Sequence, residues 1–228
     1  MNSVRRFRVG GGVSGSLLAL MLVASGCGEV PTGPESTTSG GVKQYAAAVL
    51  PRVTQELPVL DDGHIEIPTP EGWAFASQSR GLITRFHLKG RTGVPQIIVK
   101  VEPAAGGPET VTADNVTAYA AQVQAELDAA VKEKKITLLE TAKPLLLGTQ
   151  PYARYVITGK LPGKELATIE RQILRTTQGG RTYTIDLQVR SNELEKHRDH
   201  AYALAAGIKF HAGTASTPPA TPAEPAAP

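Results

Sequence analysis

The chain has 228 residues, with 24 Lys and Arg against 21 Asp and Glu, a single cysteine, and 41% hydrophobic residues. The first 26 residues hold three arginines and no acid, so the remainder carries 21 charges of each sign, which argues against the sustained basic surface of a nucleic-acid-binding protein. One cysteine also excludes an intrachain disulfide, and roughly 150 residues are enough to form a core without one.

The N-terminus has the layout of an export signal. Arg5, Arg6 and Arg8 precede an apolar run over residues 13–23, which is well short of the ~20 residues that a spanning helix needs. The sequence Ala24-Ser25-Gly26-Cys27 then resembles the lipobox of bacterial lipoproteins. The resemblance implies cleavage before Cys27 and acyl chains on its thiol, which would hold the exported protein at the extracytoplasmic side of the inner or outer membrane. A twin-arginine signal fits the flanking residues less well.

Composition divides the chain into four parts. Residues 1–26 form the predicted signal peptide, and residues 27–44 form the lipidated cysteine and a flexible linker rich in Gly, Ser, Thr and Pro. Residues 45–211 have the composition of one folded domain, and residues 212–228 form a disordered tail rich in Pro and Ala.

The entry into the predicted domain is ambiguous. Tyr45, Val49 and Val53 have the spacing of a short helix, but Pro51 interrupts that helix. We therefore treat residues 42–57 as a lead-in to the domain.

Periodicity predicts strands and one helix in the first half of the domain. Residues 64–68 alternate, and the turn residues 69–72 predict a hairpin with a second strand at 73–77. Residues 82–89 and 96–101 are predicted strands joined by a Gly-containing turn. Apolar residues spaced by three and four then predict an amphipathic helix over 112–134.

The second half predicts a meander and a closing helix. Strands are expected at 136–142, 152–160, 168–177 and 182–190, with a tight glycine turn between the last two. A helix is expected over 192–207, with a capping box formed by Asn192 and Glu195. Its inner face is predicted to contain Leu194, His197, Ala201, Leu204, Ala205 and Ile208. An antiparallel sheet with packed helices is an α+β fold.

Two segments carry a family resemblance. The opening Ile-Glu-Ile-Pro-Thr-Pro-Glu-Gly-Trp at 65–73, and the closing Arg-Thr-Tyr-Thr-Ile-Asp at 181–186 followed by a helix and Ile-Lys-Phe at 208–210, are similar to the PsbP-like and DcrB-like family. The resemblance implies an antiparallel sheet with helices and no common catalytic site. Family members include photosystem accessory subunits and bacterial lipoproteins, and the lipobox favours the bacterial group.

Few residues are candidates for chemistry. His197 and His200 have the i, i+3 spacing of metal ligands, but one packed and one solvated histidine explain them better, and we expect no metal or other cofactor. Trp73 is expected to be a core residue. Five arginines on the meander could form a basic stripe, although acidic neighbours such as Glu170 and Asp186 more simply make a polar sheet face. These arginines are Arg154, Arg171, Arg175, Arg181 and Arg190.

The functional expectation is a non-enzymatic accessory module of an envelope protein assembly, tethered to the membrane through Cys27 and bound to a protein partner. The alternatives are a carrier of a small ligand or lipid, which predicts a deep apolar pocket, and a hydrolase, which predicts converging polar groups in a cleft. The sequence has no GxSxG, HExxH or P-loop motif.

Overall fold

The computed structural model describes residues 35–38, 41–54, 59–76, 82–161 and 164–211. The predicted signal peptide, Cys27 and the C-terminal tail lie outside these residues. The elements in chain order are β1 Glu35–Thr37, β2 Lys43–Tyr45, a 3-10 helix Ala47–Val49, β3 Val59–Leu60, β4 Ile65–Glu66, β5 Trp73–Ala76, β6 Thr84–Leu88, β7 Gln96–Pro103, α1 Val116–Lys132, β8 Leu138–Leu147, β9 Gln150–Leu161, β10 Lys164–Gln178, β11 Arg181–Arg190, α2 Leu194–Gly207 and β12 Lys209–Phe210.

A large mixed sheet forms the centre of the fold and confirms the α+β class. Nine strands pair in the order β1-β2-β8-β9-β10-β11-β7-β6-β5, and β2 and β8 are parallel while the other neighbours are antiparallel. The predicted meander is therefore confirmed as β8 to β11. Gly179 and Gly180 both have positive φ, at 57° and 71°, and form the two-residue turn between β10 and β11. Such a turn favours glycine because each central residue is left-handed.

The two helices cover opposite faces of this sheet. Because side chains alternate along a strand, Leu145 and Leu147 lie in the core beneath α2, while Leu146 between them lies in the core beneath α1. The first core is the larger and includes Trp73 and Leu204. The predicted apolar inner face of α2 is confirmed, because Leu194, Ala201, Leu204, Ala205 and Ile208 are buried.

The predicted hairpin between residues 64–68 and 73–77 is wrong. Strand β4 pairs with β3 and β12 in a separate three-stranded sheet, whereas β5 pairs with β6 at the edge of the large sheet. Pro68 and Pro70 have no N–H to donate to a hairpin ladder. The segment between them instead pairs with the lead-in, where the Thr54 N–H donates to the Thr69 carbonyl at 2.9 Å.

The large sheet also extends into the segment that we predicted as a flexible linker. Strands β1 and β2 fall within residues 27–44 or directly at their end, and β2 pairs with β8 in register from Lys43 to Tyr45. Backbone hydrogen bonds to β8 and the packing of Tyr45 on Tyr202, with ring centroids 5.1 Å apart, stabilise β2 although this segment has few apolar residues. The lead-in is therefore a strand, a 3-10 helix and a bridge at Val53 rather than one short helix.

Both long helices are confirmed, but each begins later than predicted. Before α1, the Asn115 side chain accepts the Thr112 N–H at 2.8 Å and donates to the Thr110 carbonyl at 3.0 Å, which holds this segment in a turn. Before α2, Asn192 is left-handed with φ 67°, and its N–H donates to the Glu170 carboxylate at 3.0 Å. The expected capping box does not form, because no side chain caps this helix.

Candidate binding site

Most of the arginines that we singled out are neutralised on the sheet. Three of them, on the α1 side or near the end of the sheet, pair with acidic side chains. The structure thus supports a balanced polar face rather than a basic stripe. The pairs are Arg171 with Asp186, Arg175 with Glu126, and Arg181 with Asp61. Arg190 lies exposed at the end of β11.

Arg154 differs because it points to the other face, toward α2. Its neighbours Tyr152 and Val156, two residues to either side on β9, belong to the core beneath that helix. The guanidinium donates two bonds to Glu140, at 2.7 Å from Nη1 and 3.0 Å from Nη2, and a third from Nε to the Gln172 Oε1 at 3.1 Å. Its side chain is only 12% exposed. This bidentate geometry fixes the guanidinium in one orientation.

A cavity of about 300 Å³ opens beside this guanidinium. Its walls come from strands β2, β8 and β9 and from the first three turns of α2. We call it the Arg154 pocket. Four cationic side chains and two carboxylates line it, namely Lys43, Lys143, Arg154, Arg198, Glu140 and Glu195.

The electrostatics of the Arg154 pocket hold its central ion pair in the charged form. The pKa of Glu140 is lowered first by its hydrogen bonds with Arg154 and then by the charges of Arg154, Lys143 and Arg198, against the opposing effect of burial. Burial acts to lower the pKa of Arg154, but the hydrogen bonds with Glu140 and nearby charges outweigh it, so that this pKa is raised. Both groups are therefore ionised at neutral pH.

On the wall formed by α2, Arg198 makes a more exposed pair. Its Nη1 donates to the Glu195 carboxylate at 2.7 Å, and its guanidinium lies 5.9 Å from the centroid of the Tyr202 ring. The side chain of Glu195 is 72% exposed. Arg198 is thus held by an i, i+3 pair in contact with solvent, which contributes little to stability.

Sequence reasoning named Arg154 but missed its partners. The sequence did indicate that Arg154 needs a partner. Arg154 lies on the same face of its strand as Tyr152 and Val156, which are core residues, and a charge there needs an oppositely charged neighbour. The identity of that partner depends on how β8 aligns with β9, where two register shifts place Glu140 within reach. Irregularities of this kind leave no pattern in a single sequence.

The two candidate metal ligands lie against Trp73. His197 and His200 are half-buried, with ring centroids 6.0 and 5.8 Å from that of Trp73 and 6.4 Å from each other. Burial lowers the pKa of both imidazoles. Trp73 is 1% exposed, which confirms it as a core residue. His200 is less exposed than the solvated residue we expected, because it packs on this indole. Among the described residues, no group of three His, Cys, Asp or Glu side chains could hold a metal ion.

The described structure does not test the predicted membrane anchor. Cys27 lies outside the described residues, so its lipidation stays a prediction. Within those residues, neither helix has the length and apolar character that crossing a bilayer requires.

Comparisons with known proteins give matches only among solved structures. No protein-family model and no curated protein sequence matches the chain. A protein from Bacteroides thetaiotaomicron aligns with a TM-score of 0.44 and 11% identity over 69% of this chain and 49% of that one, so the chain spans about half its length. Cyanobacterial PsbP from Synechocystis aligns with a TM-score of 0.39 and 15% identity over 65% of this chain and 87% of that one.

LpqN, described as involved in cell envelope biogenesis of Mycobacterium tuberculosis, aligns with a TM-score of 0.43 and 13% identity. The alignment covers 64% of this chain and 82% of that one. Identities and scores this low assign no family, and membership of the PsbP-like family stays a prediction.

Proposed function

We propose that this protein is a non-enzymatic binding module of an envelope protein assembly, exported and tethered to the membrane by lipid on Cys27. The Arg154 pocket is its recognition site. The observation that carries this proposal is the bidentate pair between Arg154 and Glu140, which fixes charged groups at the wall of an open cavity. Fixed, complementary charge gives a binding site its specificity.

The protonation states of the pocket favour binding over hydrolysis. A general acid or base works best with a pKa near the operating pH, because it must gain and lose a proton in each cycle. The pKa of Glu140 is instead moved away from neutrality by the hydrogen bonds and charge of Arg154. Glu140 is therefore suited to hold Arg154 in place rather than to exchange protons with a substrate.

The proposed tether rests on the sequence around Cys27. Small residues precede the cysteine, the apolar run before it is too short to span, and the segment after it begins Gly-Glu-Val-Pro-Thr-Gly-Pro, which is rich in Gly and Pro. A lipid at this position would place the module within a linker's reach of other envelope proteins. A protein partner of the same membrane is therefore the component that we propose it binds.

The experiment is co-purification from native membranes with charge-reversal variants. The full chain is recovered by affinity as wild type, as the Lys143→Glu, Arg198→Glu variant, and as a Lys132→Glu control on the exposed end of α1. We expect one discrete set of envelope proteins with the wild type and the control, and its loss with the double variant. Recovery of the same set with all three proteins would contradict the Arg154 pocket as the recognition site.

A small-ligand carrier is the second candidate. The volume of the pocket limits its ligand to a compact group. Pockets for drug-sized ligands span about 300–1,000 Å³ and are mostly apolar. The Arg154 pocket is at the lower end, at about 300 Å³, and is lined largely by charged groups. It therefore suits a compact polar group rather than an acyl chain.

A further inference from the structure

The hydrogen-bonding network behind the Arg154 pocket has more donors than acceptors. Three of the five N–H groups of Arg154 donate to Glu140 and Gln172, which leaves two without an acceptor among the described residues. The Arg154 Nε can only donate, so the amide oxygen of Gln172 must face it. The Gln172 Nε2 is thereby left fully buried and without a partner in the part of the chain that the structure describes.

A shortage of acceptors in a buried network is costly. An unpartnered buried donor loses its hydrogen bonds to water without replacement, and native proteins keep few of them. Gln172 contributes one such buried donor, and Arg154, which hydrogen-bonds to Gln172, lines a cavity that is open to solvent and has two N–H groups beyond its three bonds. A ligand that brings several acceptor oxygens to the cavity would complete the hydrogen bonds of Arg154.

The charge of the cavity has the matching sign. Lys143 is exposed on β8, has no ion-pair partner among the described residues, and acts at Glu140 as a positive charge that lowers its pKa. Arg198 lies over the Tyr202 ring and pairs with Glu195, whose side chain is 72% exposed, so an entering anion can replace that carboxylate at little cost. The pair of Arg154 with Glu140 is more buried and remains in place.

We propose that the Arg154 pocket binds a phosphoryl group carried by a small soluble ligand or by a lipid headgroup. This inference rests on the second candidate under the proposed function, a carrier of a compact polar group in this pocket, and names the class of that ligand. Guanidinium forks match the oxygen geometry of phosphate, and Arg154, Arg198 and Lys143 give the lining positive charge that complements a dianion. A cavity of about 300 Å³ holds such a group together with a few attached atoms.

The test is calorimetric titration of the purified full chain in detergent. The probes are inorganic phosphate, glycerol 3-phosphate, and phosphatidic acid in micelles compared with phosphatidylcholine. We expect saturable binding of at least one phosphomonoester probe. The Lys143→Gln and Arg198→Gln variants should each weaken it about tenfold or more, the effect of losing one charge-assisted contact. The control Lys132→Gln, on the exposed end of α1, should bind as the wild type.

The outcomes separate the sources of the ligand and the two proposals. Binding of the soluble probes alone indicates a soluble ligand, and binding of phosphatidic acid alone indicates a headgroup. Both support the phosphoryl site. Absence of binding for every probe, or equal weakening in the Lys132→Gln control, would overturn it. If co-purification still depends on the pocket while phosphate fails to bind, only the ligand class is wrong and the binding role stands. Because Lys143 is exposed, its variant should melt as the wild type does, which verifies folding.

Discussion

The packing of α2 on the sheet predicts a large loss of stability when Leu204 is truncated. Leu204 is 0% exposed and lies in the core that also contains Trp73 and Leu174. Leu204→Ala removes buried methyl and methylene groups and leaves a cavity that the surrounding strands fill only in part, which costs about 2–5 kcal/mol. For a chain of this length, about 3 kcal/mol corresponds to a fall of roughly 6–12 °C in Tm.

Urea unfolding followed by the fluorescence of Trp73 measures this loss directly, since Trp73 is the only tryptophan and lies in the same core. The matched control is Leu139→Ala on β8, where the side chain is 50% exposed. We expect the control to lose less than about 1 kcal/mol, as surface substitutions do. A loss below about 1 kcal/mol for Leu204→Ala would show that α2 is peripheral and that the described packing is wrong.

Removing one partner of the partly buried ion pair should destabilise the fold more than removing both, because Glu140→Leu leaves the largely buried Arg154 guanidinium without its counterion. The double variant Arg154→Leu, Glu140→Leu should therefore have the higher urea midpoint, and an equal or lower one would contradict the coupling. Burial lowers the pKa of His197 and His200 below 6.5, so the unfolded chain takes up protons first as the pH falls. Stability should be constant well above pH 6.5 and decrease as the pH falls through that value, and His200→Gln should flatten this part of the Tm profile. Zinc should leave the Tm unchanged, whereas a specific site at a hundred times its Kd would add about 2.7 kcal/mol, and a rise that disappears in His200→Ala would establish one. Cys27→Ser should give an uncut or soluble product in membrane fractionation, and a cleaved variant that still needs detergent for extraction would refute the lipid anchor.

Repeating local patterns are the part of this fold that a single sequence predicts. The strands β8 to β11 alternate over many residues, and α1 and α2 keep an apolar face, so their type and order could be inferred without the structure. The turn at Gly179 and Gly180 followed from the two adjacent glycines. The type of each of these elements follows from residues that lie close together in the sequence.

Pairing between distant segments is the part that the sequence did not predict. The separation of β4 from β5 depends on a third segment, residues 52–54, that pairs with the chain around Pro70. The parallel pairing of β2 with β8 joins segments about a hundred residues apart, and nothing in the composition of β2 signals it.

The candidate site was predicted only in part for the same reason. Arg154 could be singled out as a charge on the meander, but its role depends on Glu140 across a shifted register and on Arg198 from a different element. A capping box at Asn192 had the right spacing, yet the left-handed backbone there directs its N–H to Glu170 instead. Spacing identifies candidate groups, and the tertiary fold determines which of them meet.

Site-specific photocrosslinking in intact cells tests the central claim most directly, because it reports both the location of the protein and the use of its pocket. A photoreactive residue replaces Lys143 at the Arg154 pocket or, as the control, Lys132 on the exposed end of α1. We expect a crosslink to a discrete envelope component from position 143 and none to that component from position 132. Crosslinks to the same component from both positions, or only to cytoplasmic proteins, would contradict an extracytoplasmic module that binds through the Arg154 pocket.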